Sequence, residues 1–268
     1  MPDRNVLIAF GSPSDYEKFF SADFPRLDST AYHLSVNSAH RVPDVVGKHA
    51  RAMHYDGVIA GAGMKNALMD SYFGLCPDAI HVALPITDSR TGGLSSILSS
   101  SEMPPGCPVA MSRMSDMNAA VGFVNYALSD IFRAVRLNRD NGADSEKVFD
   151  DAIRTFEELG IEVIQDHSRP AIDVVAYSGP DILEELNEGF VIASFASPFR
   201  SPIILDNYLR SLKANAHTVH TGVADGSNLA LYAAKIIARN SPAVREKIDE
   251  RFRAGLEKYK PFEELRPL

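Results

Sequence analysis

The sequence predicts an α/β protein whose parallel sheet is covered by helices on both faces. Three observations carry this. Short, near-continuous apolar runs recur: "NVLIAF" (5–10), "AYHLSVN" (31–37), "DGVIAGAG" (56–63), "AIHVALPI" (79–86) and "PVAMSRM" (108–114). Segments with apolar residues at helical spacing separate them, at 41–53, 66–74, 92–101 and 116–136. The first four runs end in polar loops, "GSPSD", "NSAHR", "GAGMKN" and "ITDSRTGG", on the sheet edge where ligands of such folds collect.

Each element has a local reason. Residues 5–10 are a buried strand that meets a turn and a helix start at Gly11 to Asp15. Residues 31–37 form the second strand. "RVPDVVGKHARAM" follows as a helix, with Pro43 near its start, where a missing N–H does no harm. The third strand, 56–63, runs into glycines; the fourth and fifth lie at 79–86 and 108–114. The polar stretch "NRDNGADS" (138–145) reads as a linker. The pattern then restarts. "SEKVFDDAIRTFEELG" is an amphipathic helix, "IEVIQ" a strand followed by "DHSRP", and "GFVIASFAS" a strand. "PIILDNYLRSL" is a helix, "HTVHTGV" a strand and "DGSNLALYAAKIIAR" a long helix.

The two halves answer one another. "VALPITDSRTGGLSSIL" parallels "IASFASPFRSPIILDNYL", and Asp116-x-Asn118-Ala119 parallels Asp225-x-x-Asn228-x-Ala230. Any two βα units share a strand, a turn and an Ala-rich helix, which accounts for part of the likeness. The ordered match predicts a degenerate duplication, with units at 1–137 and 145–268. The second unit lacks a glycine-serine opening strand and a counterpart of "GAGMKN". It is expected to be a structural half without a complete site.

Bulk properties narrow the function. At 268 residues the chain can bury a proper core, and a 45% hydrophobic share is ordinary for a globular protein. A net charge of −8 with no basic run argues against nucleic acid as a partner. The opening "MPDRNVLIAFGS" is too short and polar for a signal peptide, and no apolar run approaches a membrane span, so a cytoplasmic location is expected. Cys76 and Cys107 have no metal-ligand spacing and read as reduced, half-buried thiols.

Four loops can carry chemistry. In "GSPSD", Ser12, Ser14 and Asp15 beside a helix start suit a phosphate or ribose, although serine and aspartate there are also ordinary helix caps. "NSAHRVP" offers Ser38 for a hydrogen bond, Arg41 for a phosphate, and His40, whose imidazole titrates near neutrality. On its own it is a polar loop before a helix. "GAGMKN" brings Gly61, Ala62 and Gly63 for close backbone approach, with Lys65 and Asn66 for a carboxylate. "TDSRTGG" brings Asp88, Ser89 and Arg90, or is merely a solvated loop. All four on one edge read as a site for a nucleotide-sized anionic ligand served by acid–base chemistry. The chain has no P-loop, GxGxxG or GxSxG motif, which disfavours kinases, dinucleotide dehydrogenases and the usual serine hydrolases.

"AFGSPSD", "SAHRVP", "VIAGAG", "SEMPPGCPV" and "MNAAVGFVNYAL" resemble, in order and spacing, the PurE family of purine biosynthesis. The resemblance covers roughly the first half. The tail "NLALYAAKIIARNSPAVREKIDERFRAGLEK" also looks like that family's last two helices. It implies a three-layer αβα, flavodoxin-like fold, a homo-oligomer commonly of eight domains, and work on aminoimidazole ribonucleotides without metal or organic cofactor. One class of the family adds carbon dioxide directly to aminoimidazole ribonucleotide; the other is a mutase acting on the N5-carboxy compound. "MKNALMDSY" replaces the mutase "HLPG", and with "TDSRTGG" it favours the direct carboxylase, whereas "SAHR" is the mutase spelling. By resemblance His40 removes the ring proton after carboxylation. Ser12, Asp15 and Arg41 hold ribose and phosphate, and Gly61 to Gly63 with Lys65 or Asn66 cradle the carboxylate or carbon dioxide. A PurE-like nucleotide binder that has lost catalysis, and a carboxylase of another heteroaromatic mononucleotide, are the competing expectations. With two units per chain, four chains would supply eight PurE-like units.

Overall fold

The structure is a computed structural model that describes residues 4–19, 25–38, 42–64, 66–167, 169–186, 190–214 and 218–256. The first part runs β1 (Arg4–Phe10), α1 (Pro13–Glu17), β2 (Thr30–Val36), α2 (Pro43–Ala52), β3 (Gly57–Ala62) and α3 (Ala67–Leu75). It continues through β4 (Ile80–Pro85), α4 (Leu94–Ser101), β5 (Ala110–Met111) and α5 (Met117–Ala127). Then come β6 (Ala134–Arg139), α6 (Ala143–Leu159), β7 (Glu162–Ile164), β8 (Ile172–Tyr177) and α7 (Asp181–Glu185). The chain closes with β9 (Val191–Phe195), α8 (Pro202–Ala214), β10 (Thr218–His220), α9 (Gly226–Ala238) and α10 (Pro242–Leu256).

Alternation along the strands builds the layers. In β1, Val6, Ile8 and Phe10 join one apolar cluster with α5, α6, α9 and α10, while Leu7 and Ala9 join the other with α2, α3, α4 and α8. Successive side chains of a strand point to opposite faces, so a strand apolar throughout must be covered on both. Each fully buried Val, Leu or Ile contributes roughly 1.5–3 kcal/mol by leaving water. The fold is the expected three-layer, flavodoxin-like α/β arrangement.

All ten strands form one sheet, in the order β2-β1-β3-β4-β5-β10-β9-β8-β6-β7. The first five follow the doubly wound order 2-1-3-4-5, and read from the far edge the last five follow it too. Pairing is parallel within each set; the two sets meet antiparallel at β5 and β10 through His220 and Met111. Local details repeat. Ser115 and Ala224 both take left-handed backbone, with φ of 55° and 54°. Each precedes an aspartate that caps the next helix: Asp116 accepts from Ala119 N at 2.9 Å, and Asp225 from Asn228 N at 2.8 Å. Ser115 N donates to Pro85 O at 2.7 Å, and Ala224 N to Phe195 O at 2.8 Å.

Three strands differ from the sequence expectation, and the short helix α7 was not anticipated. The helix expected over 116–136 stops at Ala127, and 134–139 is strand β6, so the expected linker at 138–145 holds the end of β6 and the start of α6. Strand β8 was not anticipated; its apolar run carries Asp173, buried against Arg136 of β6 at 2.9 and 3.1 Å. The fifth strand shrinks to Ala110–Met111.

Candidate functional site

The carboxyl ends of β1 and β3 meet where the strand order reverses. Gly11 N donates to Gly61 O at 2.8 Å and fastens the two loops together. Ser12, extended at φ −157°, caps α1: its Oγ accepts from Asp15 N at 3.1 Å and donates to Asp15 Oδ2 at 2.8 Å. Ser14 Oγ lies 3.0 Å from Ser12 Oγ. Asp15 is thereby held nearly buried, 9% exposed, facing the β3 loop. Lys18 brings a cation 4.0 Å from Asp15 Oδ1 and donates to the Thr87 carbonyl of the β4 loop.

Gly63 is the meeting point. A Cβ there would lie 3.1 Å from Asp15 Oδ1 and 3.3 Å from Asp88 Cβ. A side chain there would press on both carboxylate-bearing residues, so glycine favours the close approach of the three loops. Gly61, Ala62 and Gly63 are all buried, and Ala62 O accepts from Ile86 N at 3.0 Å and from Ser96 Oγ at 2.7 Å. Ser12, Ser14, Asp15, Gly61, Ala62, Gly63 and Asp88 are therefore gathered on one edge.

Two of the expected binders are already engaged. Asp88 accepts from Arg90 N, Thr91 N, Thr91 Oγ1 and Gly93 N at 2.6–2.8 Å. The Thr91 hydroxyl first, with these backbone donors, holds its carboxyl well below the usual range. It organises its own loop. Asn66 is buried and turns inward: its Nδ2 donates to Ala60 O at 3.1 Å and lies 3.4 Å from Ser100 Oγ, while Oδ1 has no partner among the described residues. It ties β3 to α4 beneath the loop.

Ser38 stands at the end of β2, and its carbonyl accepts from Val42 N at 2.9 Å. His40, Arg41 and Lys65 lie outside the described residues. The end of β2 and the helices behind it carry a polar network that no sequence motif announces. Asn37, 2% exposed, anchors through its N–H to Phe10 O at 2.7 Å. Its Nδ2 reaches Ser35 Oγ, His49 Nδ1 and Tyr72 OH at 2.5, 3.0 and 3.0 Å, and Ser35 Oγ lies 2.6 Å from His49 Nδ1. Burial pushes the Tyr72 phenol up to about 12, so it stays protonated. The available signal was period-two spacing: Ser35 and Asn37 share one face of β2, toward α2 and α3.

At the matching edge of the second half, side chains bond to one another and to the backbone. Asp140 follows β6 and accepts from Ser178 N at 2.6 Å and Gly142 N at 3.1 Å. Ser178 Oγ lies 2.9 Å from Ser145 Oγ. The Asp140 carboxylate takes backbone donors of the kind an anionic ligand needs. Between β7 and β8 the described residues form no helix corresponding to α2. Cys76 and Cys107 are free and half-buried. Among the described residues no group of three or more His, Cys, Asp or Glu is placed to hold a metal, and no helix is long and apolar enough to cross a membrane.

Comparison with known proteins points the same way. A family model described as AIR carboxylase matches residues 5–131. The N5-carboxyaminoimidazole ribonucleotide mutase of Brucella melitensis is 32% identical over 152 residues, covering 54% of this chain and 93% of the relative. The enzyme of the same name from Pseudomonas aeruginosa is 33% identical over 130 residues, 46% of this chain and 75% of its own length. The chloroplastic phosphoribosylaminoimidazole carboxylase of Vigna aconitifolia is 35% identical over 112 residues, 40% of this chain but 20% of that longer protein.

Proposed function

The chain belongs to the AIR carboxylase (PurE) family, and we propose that it carboxylates 5-aminoimidazole ribonucleotide with carbon dioxide to give 4-carboxy-5-aminoimidazole ribonucleotide. The observation that carries this reading is the convergence of Asp15, Gly63 and Asp88 at the β1–β3 switch point, beside the anchored end of β2. Ser12, Ser14 and Asp15 meet the ribose; Arg41, with Ser38, meets the phosphate. The backbone from Gly61 to Gly63, with Lys65, takes the carboxylate, and Asn66 and Asp88 shape their loops.

The aminoimidazole ring is an enamine, nucleophilic at the carbon that receives carbon dioxide. After attack that carbon carries a proton and the new carboxylate together. His40 removes the proton and restores aromaticity, which requires its neutral form near pH 7. The Asn37–His49–Tyr72 network steadies the strand end that bears it. Mutase activity is the second reading; the names of the Brucella and Pseudomonas relatives and the "SAHR" loop favour it.

We also infer an internal duplication, with a catalytic unit over 1–137 and a degenerate unit over 145–268; the strand order groups β6 (Ala134–Arg139) with the second unit and so moves the boundary to just before β6. The repeated strand order and paired aspartate caps support it.

The test is an assay of purified protein with aminoimidazole ribonucleotide plus bicarbonate, and separately with the N5-carboxy compound. Turnover of the first is expected. His40→Asn should lose about 10²–10⁴-fold in kcat, the usual contribution of a positioned base. Conversion of neither substrate, with His40→Asn indistinguishable from wild type, defeats the enzymatic reading.

A further inference from the structure

Opposite the candidate site, at the amino ends of the strands, α9 and α10 cross the starts of β3 and β4 and leave an open cavity of about 260 Å³. Lys235 of α9 lines it, only 6% exposed. Its Nζ lies 3.4 Å from His81 Nδ1 and 5.3 Å from the centre of the Phe73 ring. Asp78 and Asp249 share the wall, yet among the described residues no carboxylate comes within 4.0 Å of this amine. Arg245 of α10 also lines the cavity, and its guanidinium has no ion pair or side-chain hydrogen bond among the described residues.

Such a lysine gives up its charge readily. Burial brings its pKa down to about 7, and His81, driven to its neutral form by burial, offers a lone pair rather than a counter-charge. An un-ionised amine facing an open cavity is a nucleophile. The space beside it suits a small electrophile, and the unpaired Arg245 suits a product that is an anion.

We propose that Lys235 is a reversible carbamate site, its amine taking up carbon dioxide to become –NH–COO⁻ with Arg245 facing the new carboxylate. The nitrogen lone pair forms the N–C bond, one C=O π pair moves onto oxygen, and the amine releases a proton to solvent. Starting from the ammonium form, two protons leave. The remaining N–H still donates to His81 Nδ1, and nothing is oxidised or reduced. The choice of carbon dioxide as electrophile rests on the carboxylation reading, in which the same molecule is substrate at the other edge of the sheet. The adduct turns a buried amine into an anion that draws Arg245, and with it α10, onto α9.

The experiment traps carbamates on the full-length protein in ¹³C-bicarbonate with triethyloxonium and locates the ethylated adduct by peptide mass spectrometry. Occupancy at Lys235 several-fold above that at exposed Lys147 and Lys247 is expected. Arg245→Gln should lower it several-fold while leaving the unfolding curve in bicarbonate-free buffer unchanged. Occupancy at Lys235 no higher than at the exposed lysines overturns the site, and an Arg245→Gln protein trapped as fully as wild type overturns the role of Arg245. Trapping reads no turnover, so a negative result here leaves the carboxylation assay standing, and a failed assay leaves a trapped adduct standing.

Discussion

At the residue scale, Lys235 shows how burial becomes a pH dependence. Its amine titrates at 10.5 when solvated and at about 7 in the fold. Between those values the unfolded chain binds the extra proton, so stability rises with pH across the window; below it the full penalty of a buried ammonium is present. Lys235→Met removes the penalty. The expected gain is about 3–5 kcal/mol at pH 7 in bicarbonate-free buffer, from a shift of this size at 1.36 kcal/mol per unit. Urea unfolding should show the gain shrinking toward pH 10, and one constant with pH contradicts this account. None of it was legible in "LALYAAKIIAR", where a lysine near a helix end reads as a solvated cation. Ser12 and Asp15 were legible because a cap and a turn are local. The Asn37–His49–Tyr72 network was not, because it exists only once β2, α2 and α3 have packed.

At the element scale the close approach of α6 and α9 rests on one missing side chain. A Cβ on Gly226 would lie 2.1 Å from Val148 O and 2.9 Å from Ala152 N, both backbone atoms that cannot turn aside. Gly226→Ala should force the helices apart and cost roughly 3 kcal/mol or more, against the usual 1–3 kcal/mol for an overpacked core. Thermal unfolding checks it, and an unshifted Tm contradicts it. Elements were read well where apolar periodicity and turn residues agree, as in β1, β3 and β4. The misread helix end has a tertiary cause. Asp130 takes left-handed backbone at φ 63°, and its carboxylate is held by Arg4 and by Arg239 at 3.5 Å. Those partners lie far along the chain, so local pattern alone ran the helix on into β6. Asp173 hid β8 in the same way, a charge whose partner sits on another strand.

At the scale of the whole molecule, the parallel sheet was legible, but the union of all its strands into one ten-stranded sheet was not. That union rests on two very short strands, β5 and β10, paired through His220 and Met111, and nothing local in either segment marks its partner. The C-terminal helices reinforce it from below: Tyr232 OH donates to His81 O at 2.9 Å, and Asn228 Oδ1 accepts from Gly106 N at 2.9 Å while Nδ2 donates to Pro104 O at 3.0 Å. Leu34 and Val36, two residues apart on the edge strand β2, are exposed at 54% and 40%, an apolar pair suited to contact with another copy. The duplication proposed above leads us to expect four chains per particle in light scattering; a monomer defeats this. The seam at β5 and β10 also bears on how the protein is made. While the ribosome is still extending the second half, the first half carries β5 as an open edge, with the His81 face uncovered until α9 emerges. Such an edge is a template for pairing with other nascent chains. The order of synthesis thus opens, midway through translation, an edge that the finished sheet closes at the β5–β10 seam.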